Sequence, residues 1–158
     1  MTPEERIERL QRGVADLLGA VRNLPDEALY REPTDGEWSI MQNLAHVAEM
    51  LPYWAHQAEA IDRAPGQPFG RTHDDPVRIG EIDAHANDVL ELTLTRIQAA
   101  ADECIAVLRG LPMEAWAKSG IHPSRGEMTV EQMIDAFVVG HVTAHARQIA
   151  DALDAVRA

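Results

Sequence analysis

The segment Gly140-His141-Val142-Thr143-Ala144-His145-Ala146-Arg147-Gln148-Ile149 is the part of the sequence around which we expect the fold to be organised. His141 and His145 are four residues apart, so on a helix their side chains lie on the same face, one turn apart. A helical wheel places this pair on the apolar face, together with Ile134 and Phe137. The pattern therefore predicts a helix that turns two imidazoles towards the protein interior.

Two buried imidazoles need polar partners, since a buried polar group without a hydrogen bond costs about 1–3 kcal/mol. A metal ion bound by both rings is one such partner, and it requires further ligands from another helix. His46, on the predicted second helix, is the first candidate for the third ligand, and His85, near the inner face of the predicted third helix, is the second. We expect the remaining histidines to lie on the surface or in loops: His56, His73 and His122.

Helix-start signals and apolar residues spaced three and four apart predict four long helices. Capping boxes, with a hydroxyl side chain at the N-cap and Glu or Gln three residues later, occur at Thr2, Ser39 and Thr129. The first helix should run from Thr2 to about Leu24 and the second from Ser39 to about residue 61, bent but continuous through Pro52. The third should begin between residues 75 and 82 and end near residue 111. The fourth should run from Thr129 to about residue 156.

These elements predict an all-α protein, most simply an antiparallel four-helix bundle that forms a single domain over residues 1–158. Residues 64–80 contain three prolines and three glycines, which predicts a long loop between helices two and three. A loop of this length in a compact protein is often a lid or a binding element. A shorter helical segment is expected around Trp116.

The charge of the chain limits its partners. It has 14 basic and 26 acidic residues, a formal net charge of -12, which disfavours nucleic acid and anionic membranes. The single Cys104 excludes an intrachain disulfide or a cysteine-rich metal site, and we expect it to fill the core. The sequence shows neither a signal peptide pattern nor an apolar run long enough to cross a membrane, so a cytoplasmic location is expected.

Two segments resemble the signatures of the DinB/YfiT-like superfamily of metalloenzymes. The first is Trp38-Ser39-Ile40 followed by Leu44-Ala45-His46, and the second is His141 to Ile149. The number of helices, their order and the long connections are also similar. The resemblance implies a four-helix bundle, often a homodimer, in which His46, His141 and His145 bind a divalent metal ion such as zinc or nickel. It further implies a low-molecular-weight thiol as a possible cosubstrate, because some members use bacillithiol, mycothiol or glutathione for S-transfer or isomerisation.

Two other metal-binding classes are excluded by spacing. His141 and His145 have the spacing of an HExxH metalloprotease, but Val142 stands where the catalytic glutamate is needed. A ferritin-like di-iron site needs Glu three residues before His, and none of the 7 histidines has it. Three histidines leave open coordination positions, as catalytic zinc sites do. The leading hypothesis is therefore a metal-dependent thiol S-transferase or hydrolase acting on a small molecule.

The alternative hypothesis is a non-catalytic, dimeric stress-response bundle. It is motivated by apolar residues on the second helix that are not needed for its seam: Met50, Tyr53 and Trp54. Glu49 follows His46 by one turn, and the wheel places it opposite the apolar stripe, so we expect it to be exposed and outside the site.

Overall fold

The computed structural model describes residues 1–22 and 24–157 and is mainly helical. The helices are α1 (Pro3–Val21), α2 (Asp26–Tyr30), α3 (Ile40–Arg63), α4 (Pro76–His85), α5 (Leu90–Gly110), a 3-10 helix (Met113–Ala117), α6 (Val130–Ile134) and α7 (Gly140–Arg157). A π-helical turn (Asp135–Val139) joins α6 to α7, and we call residues 130–157 the C-terminal helix. Strands β1 (Ser119–His122) and β2 (Gly126–Thr129) form an antiparallel hairpin.

Three of the four bundle helices begin at the predicted capping boxes. The hydroxyls of Thr2, Ser39 and Thr129 each accept a hydrogen bond from the backbone N–H three residues later, at 3.1 Å in every case. Each cap therefore satisfies one of the amides left unpaired at a helix start. The prediction that one helix continues through Pro52 is confirmed by α3, whereas α1 ends at Val21, earlier than predicted.

The predicted four-helix bundle is confirmed, and α1 shows that its helices run in mixed directions. Glu4, at the start of α1, accepts a hydrogen bond from Arg109 at the end of α5 (2.7 Å), so these helices are antiparallel. Arg6 donates to Asp135 at 2.8 Å, and both residues lie early in their helices, so α1 and the C-terminal helix are parallel. Helix α1 thus packs against α5, which is antiparallel to it, and against the C-terminal helix, which is parallel to it.

Helix α3 has the same two neighbours as α1. Trp54, late in α3, stacks on Phe137, early in the C-terminal helix, with ring centroids 4.5 Å apart, so this pair is antiparallel. His56 and Glu103 lie at similar heights of α3 and α5 and are 3.2 Å apart, so this pair is parallel. Parallel neighbours require a long crossover, because the end of one helix and the start of the next lie at opposite ends of the bundle.

This crossover contains a helix of its own, which corrects the predicted boundaries. The long loop reaches only to Asp75, whose carboxylate accepts a hydrogen bond from the Arg78 amide (3.0 Å) and caps α4. The predicted third helix is in fact two helices, α4 and α5, separated by residues 86–89. Tyr30 donates to the Asp88 carbonyl at 2.7 Å and thereby ties the break to α2. The apolar spacing continues across the break because α4 packs against α3.

The β-hairpin was not predicted, since four-residue strands with a glycine each are too short to show alternation. It holds the first part of the crossover in place. The amide of Gly66 donates to Ser119 O (2.8 Å), and the amide of Phe69 donates to Ile121 O (3.0 Å). The expected helical segment around Trp116 is confirmed as the 3-10 helix.

Apolar residues that could have formed an exposed patch on α3 are packed within the chain. Met50 is fully buried and Trp54 is 5% exposed, while Tyr53 is half-buried with the Arg71 guanidinium 3.8 Å from its ring centroid. These residues are used within the chain, so they no longer motivate a dimer. Cys104 is buried in the core as expected, and burial raises its pKa to about 12. None of the described helices has the length and apolar character needed to cross a membrane.

The π-helical turn before α7 depends on Gly140. The amide of Gly140 bonds to the carbonyl of Asp135, five residues earlier, and a Cβ at position 140 would lie 2.8 Å from that oxygen. Real Cβ atoms do not approach an oxygen so closely, so a side chain here would push the turn open. Such turns recur at functional sites, and this one sets the orientation of His141.

We expect Gly140→Ala to lower the free energy of unfolding by about 1–3 kcal/mol, because the added methyl group overpacks the π turn. Gly19→Ala is the matched control: it lies inside α1 with nothing within 4 Å of the added Cβ. It should stabilise the protein by about 0.4–1 kcal/mol through the unfolded state. Urea denaturation of the two variants measures the difference. Stabilisation by both substitutions would show that the turn accommodates a side chain.

Candidate metal centre

Three imidazoles meet between α3 and the C-terminal helix. His46 comes from α3, and His141 and His145 come from α7. The ring centroids are 5.6 Å apart for His46 and His141, 5.4 Å for His46 and His145, and 5.4 Å for His141 and His145. One ring nitrogen of each lies within 4.8 Å of the others. The structure thus brings together the three residues that the sequence singled out.

Two of the three rings are oriented by hydrogen bonds on the side away from the cluster. His46 Nδ1 is 2.9 Å from Glu49 Oε1, and His141 Nδ1 is 3.2 Å from the carbonyl oxygen of Phe137. Both partners are acceptors, so each imidazole carries its proton on Nδ1 and leaves the Nε2 lone pair free. This is the arrangement in which metal-binding histidines are held by an outer layer of acceptors.

His145 is the unusual member of the cluster. Its side chain is buried, and within the described chain neither of its ring nitrogens has a hydrogen-bond partner. Burial, reinforced by repulsion from His46 and His141 and opposed by a smaller effect of the nearby Gln148 side chain, lowers its pKa to about 3. Burial also lowers the pKa of His46 and of His141. All three rings are therefore neutral at pH 7, the state in which imidazole binds a metal.

Glu49 is part of the site, and the prediction that it is exposed is wrong. Its side chain is 8% exposed, and Oε1 accepts hydrogen bonds from His46 and from Arg71 Nη2, the latter at 2.5 Å. Burial opposes ionisation of Glu49, but these two hydrogen bonds outweigh it and lower the pKa of the carboxyl. The wheel failed because Arg71 belongs to the crossover, which covers the face of α3 that would otherwise meet water.

The other histidines lie apart from the cluster. His85, the second candidate ligand, lies at the end of α4 with Nδ1 2.6 Å from Asp88, and His56 is exposed between Glu59 and Glu103. His73 is exposed in the crossover. His122, expected at the surface, is 5% exposed, and its Nδ1 accepts from the amides of Ser124 and Arg125 at 3.2 Å. Its position depends on the hairpin, for which the sequence carried no signal.

A cavity of about 480 Å³ adjoins the cluster. His46 and His141 form part of its wall. The remainder comes from α3, the C-terminal helix, the hairpin and the crossover, and includes Trp54, Phe137, His122, Arg71, Arg78 and Arg125. The positive charge of Arg78 contributes to the lowered pKa of all three clustered imidazoles. The cavity is large enough for a small organic molecule beside the imidazoles.

The residues present fit a divalent metal ion of the kind that imidazole binds. The donor set is one nitrogen from each of three neutral imidazoles, two of which are oriented by outer acceptors. One of the orphaned nitrogens of His145 would gain a partner. Val142, at the position of a metalloprotease glutamate, is 1% exposed. It faces α1, where its Cγ1 lies 3.1 Å from the Cβ position of Gly13. A peptidase carboxylate at that position would be buried in the bundle core.

Fold and site together define a four-helix bundle with three histidines converging between two of its helices. The sequence profile of the DinB superfamily matches residues 9–149. The chain belongs to this superfamily.

Solved structures support the fold at low sequence identity. YfiT from Bacillus subtilis, described as a probable metal-dependent hydrolase with an unusual four-helix bundle topology, has a TM-score of 0.77 and 19% identity, with 96% of this chain and 87% of that chain covered. An uncharacterised protein from Clostridium difficile 630 has a TM-score of 0.73 and 12% identity, with coverage of 96% and 95%.

A mycothiol-dependent maleylpyruvate isomerase has a TM-score of 0.67 and 14% identity. The match covers 98% of this chain and 60% of the isomerase, so this chain spans about three fifths of that protein's length. No curated protein sequence matches the chain.

We expect acid to destabilise the metal-free protein below about pH 6.5. Unfolded His145 has a pKa near 6.5, whereas burial lowers the folded value to about 3. The unfolded state therefore binds more protons in this window, and this residue alone lowers the free energy of unfolding by about 1.4 kcal/mol per pH unit. Urea denaturation with chelator at about pH 7, 6 and 5 measures the slope above the range in which most carboxylates titrate.

His145→Leu should reduce this slope, because leucine keeps an apolar volume and cannot titrate. His56→Leu is the control: hydrogen bonds that the His56 ring donates to Glu59 and Glu103 raise its pKa, so its contribution to stability is present at low pH and is lost as the pH rises. An unchanged slope in His145→Leu would contradict a buried neutral imidazole at this position.

Proposed function

We propose that His46, His141 and His145 bind one divalent metal ion, with zinc or nickel the best candidates, and that the chain is a metal-dependent thiol S-transferase or hydrolase acting on a small molecule. The observation that carries this proposal is the convergence of three neutral imidazoles, one of which makes no hydrogen bond through either ring nitrogen among the described residues. Imidazole nitrogen suits zinc and nickel among the divalent metals.

The relatives support the choice of reaction class. YfiT is described as a probable metal-dependent hydrolase and the isomerase as mycothiol-dependent, so water and a low-molecular-weight thiol are the two reactants to consider. A bound divalent ion with open coordination positions lowers the pKa of a thiol or of water and thereby supplies a nucleophile at neutral pH. Three protein ligands leave such positions open.

The chain's own residues supply orientation and a closed environment. Arg71 and Glu49 fix the Nδ1 side of His46, and the Phe137 carbonyl fixes that of His141. The crossover and the hairpin form the other walls of the cavity, so a substrate would lie between the imidazoles and these segments. A homodimer and a cytoplasmic location stay predictions from the sequence.

Purification without a chelator or a histidine tag should yield about one divalent ion per chain, measured by elemental analysis. His145→Ala should abolish this binding, since it removes one of three ligands. Glu49→Gln should keep the fold but weaken metal affinity by about 10–100-fold, because the amide is a poorer acceptor for His46 Nδ1–H. Competition with a zinc indicator measures the affinities.

Two variants serve as controls for the metal-binding measurements. Glu59→Gln has the same relation to His56 (2.7 Å) as Glu49 has to His46, but at the surface, and it should leave affinity unchanged. His85→Ala tests the second candidate ligand and should also retain the ion. Full metal content in His145→Ala would contradict the ligand assignment. No loss of melting temperature on adding chelator would favour the non-catalytic bundle instead, since a bound ligand stabilises by mass action.

The reaction class is tested by comparing reactants on one preparation. The zinc- or nickel-loaded chain should consume an electrophile only in the presence of mycothiol, bacillithiol or glutathione if it is an S-transferase, and should cleave an ester without thiol if it is a hydrolase. His145→Ala should lose either activity. Activity equal to that of the metal-free chain would contradict both forms of the proposal.

A further inference from the structure

The cavity beside the three histidines is rich in arginine although the protein is strongly acidic. The chain has 26 acidic and 14 basic residues, yet Arg71, Arg78 and Arg125 all line this one cavity. Among the described residues that line the cavity, Asp135 is the acidic side chain. Positive charge is thus concentrated at a concave site inside a negative surface, where field lines are focused.

Two of these charges are already neutralised by partners. Arg71 donates to Glu49 at 2.5 Å, with both side chains less than a tenth exposed. Asp135 receives two hydrogen bonds from the buried Arg6, at 2.8 and 3.0 Å. The charges of Arg71 and Asp135 are therefore balanced by these ion pairs. The net positive charge of the cavity wall comes from Arg78 and Arg125.

Arg78 and Arg125 lack a carboxylate partner within 4 Å in residues 1–22 and 24–157. Arg78 donates to the carbonyl of His73 (2.8 Å), and its guanidinium carbon is 5.1 Å from the Trp38 ring centroid. Burial and the nearby charge of Arg71 lower its pKa. The guanidinium carbon of Arg125 is 4.8 Å from the Phe137 ring centroid. A guanidinium has five N–H donors, so both side chains keep donors for a ligand.

We propose that this cavity binds a small organic carboxylate, with its anionic group on Arg78 and Arg125 and its apolar part against Trp54 and Phe137. The inference rests on the proposed function, since it names the class of substrate that the site takes. The two aromatic rings stack 22° from parallel and line the same cavity. They form an apolar wall within reach of the two charges.

A carboxylate fits these groups better than other anions. Its planar pair of oxygens matches the guanidinium fork, which binds it with two parallel hydrogen bonds. Two guanidinium charges without an ion-pair partner among the described residues match a small organic anion, although Glu49 and Asp75 partly offset the charge of Arg78. The net charge of -12 repels an extended polyanion. The cavity, of about 480 Å³, also limits the ligand to a small molecule.

The test uses benzoate as the probe and benzamide as its neutral counterpart of similar shape. Titration of the full chain, treated with chelator, is followed by protein NMR shifts or calorimetry at neutral pH. Benzoate should bind more tightly than benzamide. Arg78→Gln and Arg125→Gln should each weaken benzoate binding by about tenfold, the usual effect of losing a charged hydrogen bond, and leave benzamide unchanged.

Arg109→Gln is the matched control, because Arg109 is half-exposed on the bundle surface and pairs with Glu4 at 2.7 Å. It should bind both probes as the wild type does. Thermal melts identify any variant that fails to fold. Should Arg78→Gln unfold, Arg125→Gln decides the result, since Arg125 is exposed and its loss leaves the core intact.

The inference would be overturned by equal binding of benzoate and benzamide or by unchanged benzoate affinity in folded Arg78→Gln and Arg125→Gln. Binding of phenyl phosphate more than about tenfold tighter than that of benzoate would also overturn it. Because the titration is done without metal, it succeeds or fails independently of the three histidines. Benzoate binding that appears only with zinc and ignores the arginines would place the carboxylate on the metal, and it too would overturn the assignment.

Discussion

The packing of three neutral imidazoles between α3 and the C-terminal helix, His46 and His145 buried and His141 partly buried, is the constraint on which the rest of the site depends. The polar nitrogens of a ring removed from water need partners, and for His46 and His141 the structure supplies one partner each from outside the cluster. Glu49 holds His46, the Phe137 carbonyl holds His141, and Arg71 from the crossover holds Glu49. Neither ring nitrogen of His145 makes a hydrogen bond among the described residues, and a shared metal ion would be a partner for one of them.

Bundle packing and site geometry are coupled through the π-helical turn. Arg6, 4% exposed on α1, binds the side chains of Asp135 and Glu131, while the Asp135 carbonyl accepts from Gly140. The contact of α1 with the C-terminal helix therefore fixes the turn from which His141 and His145 extend. A bundle in which the turn relaxed to a regular α-helix would rotate both rings relative to His46.

Features stabilised by interactions between neighbouring residues were predicted from the sequence, whereas features stabilised by contacts between distant residues were not. Helix starts at Thr2, Ser39 and Thr129 were predicted because a capping box acts within one turn. The break between α4 and α5 was missed because the apolar spacing continues through it. The apolar residues of α4 pack against α3. The hairpin was missed because its strands are stabilised by pairing with residues 66–69 of the crossover, which no local pattern records.

The sequence by itself determined the four-helix bundle and two ligands of the candidate centre, since the spacing of His141 and His145 on an apolar face is a property of one helix. It also ranked His46 first for the third position. Only the tertiary structure decided that Glu49 is buried, that Arg71 pairs with it, and that His122, Arg78 and Arg125 surround the same cavity. The physical reason is that the position and environment of these groups are set by the crossover and the hairpin. Those segments reach the site through contacts between residues far apart in the chain.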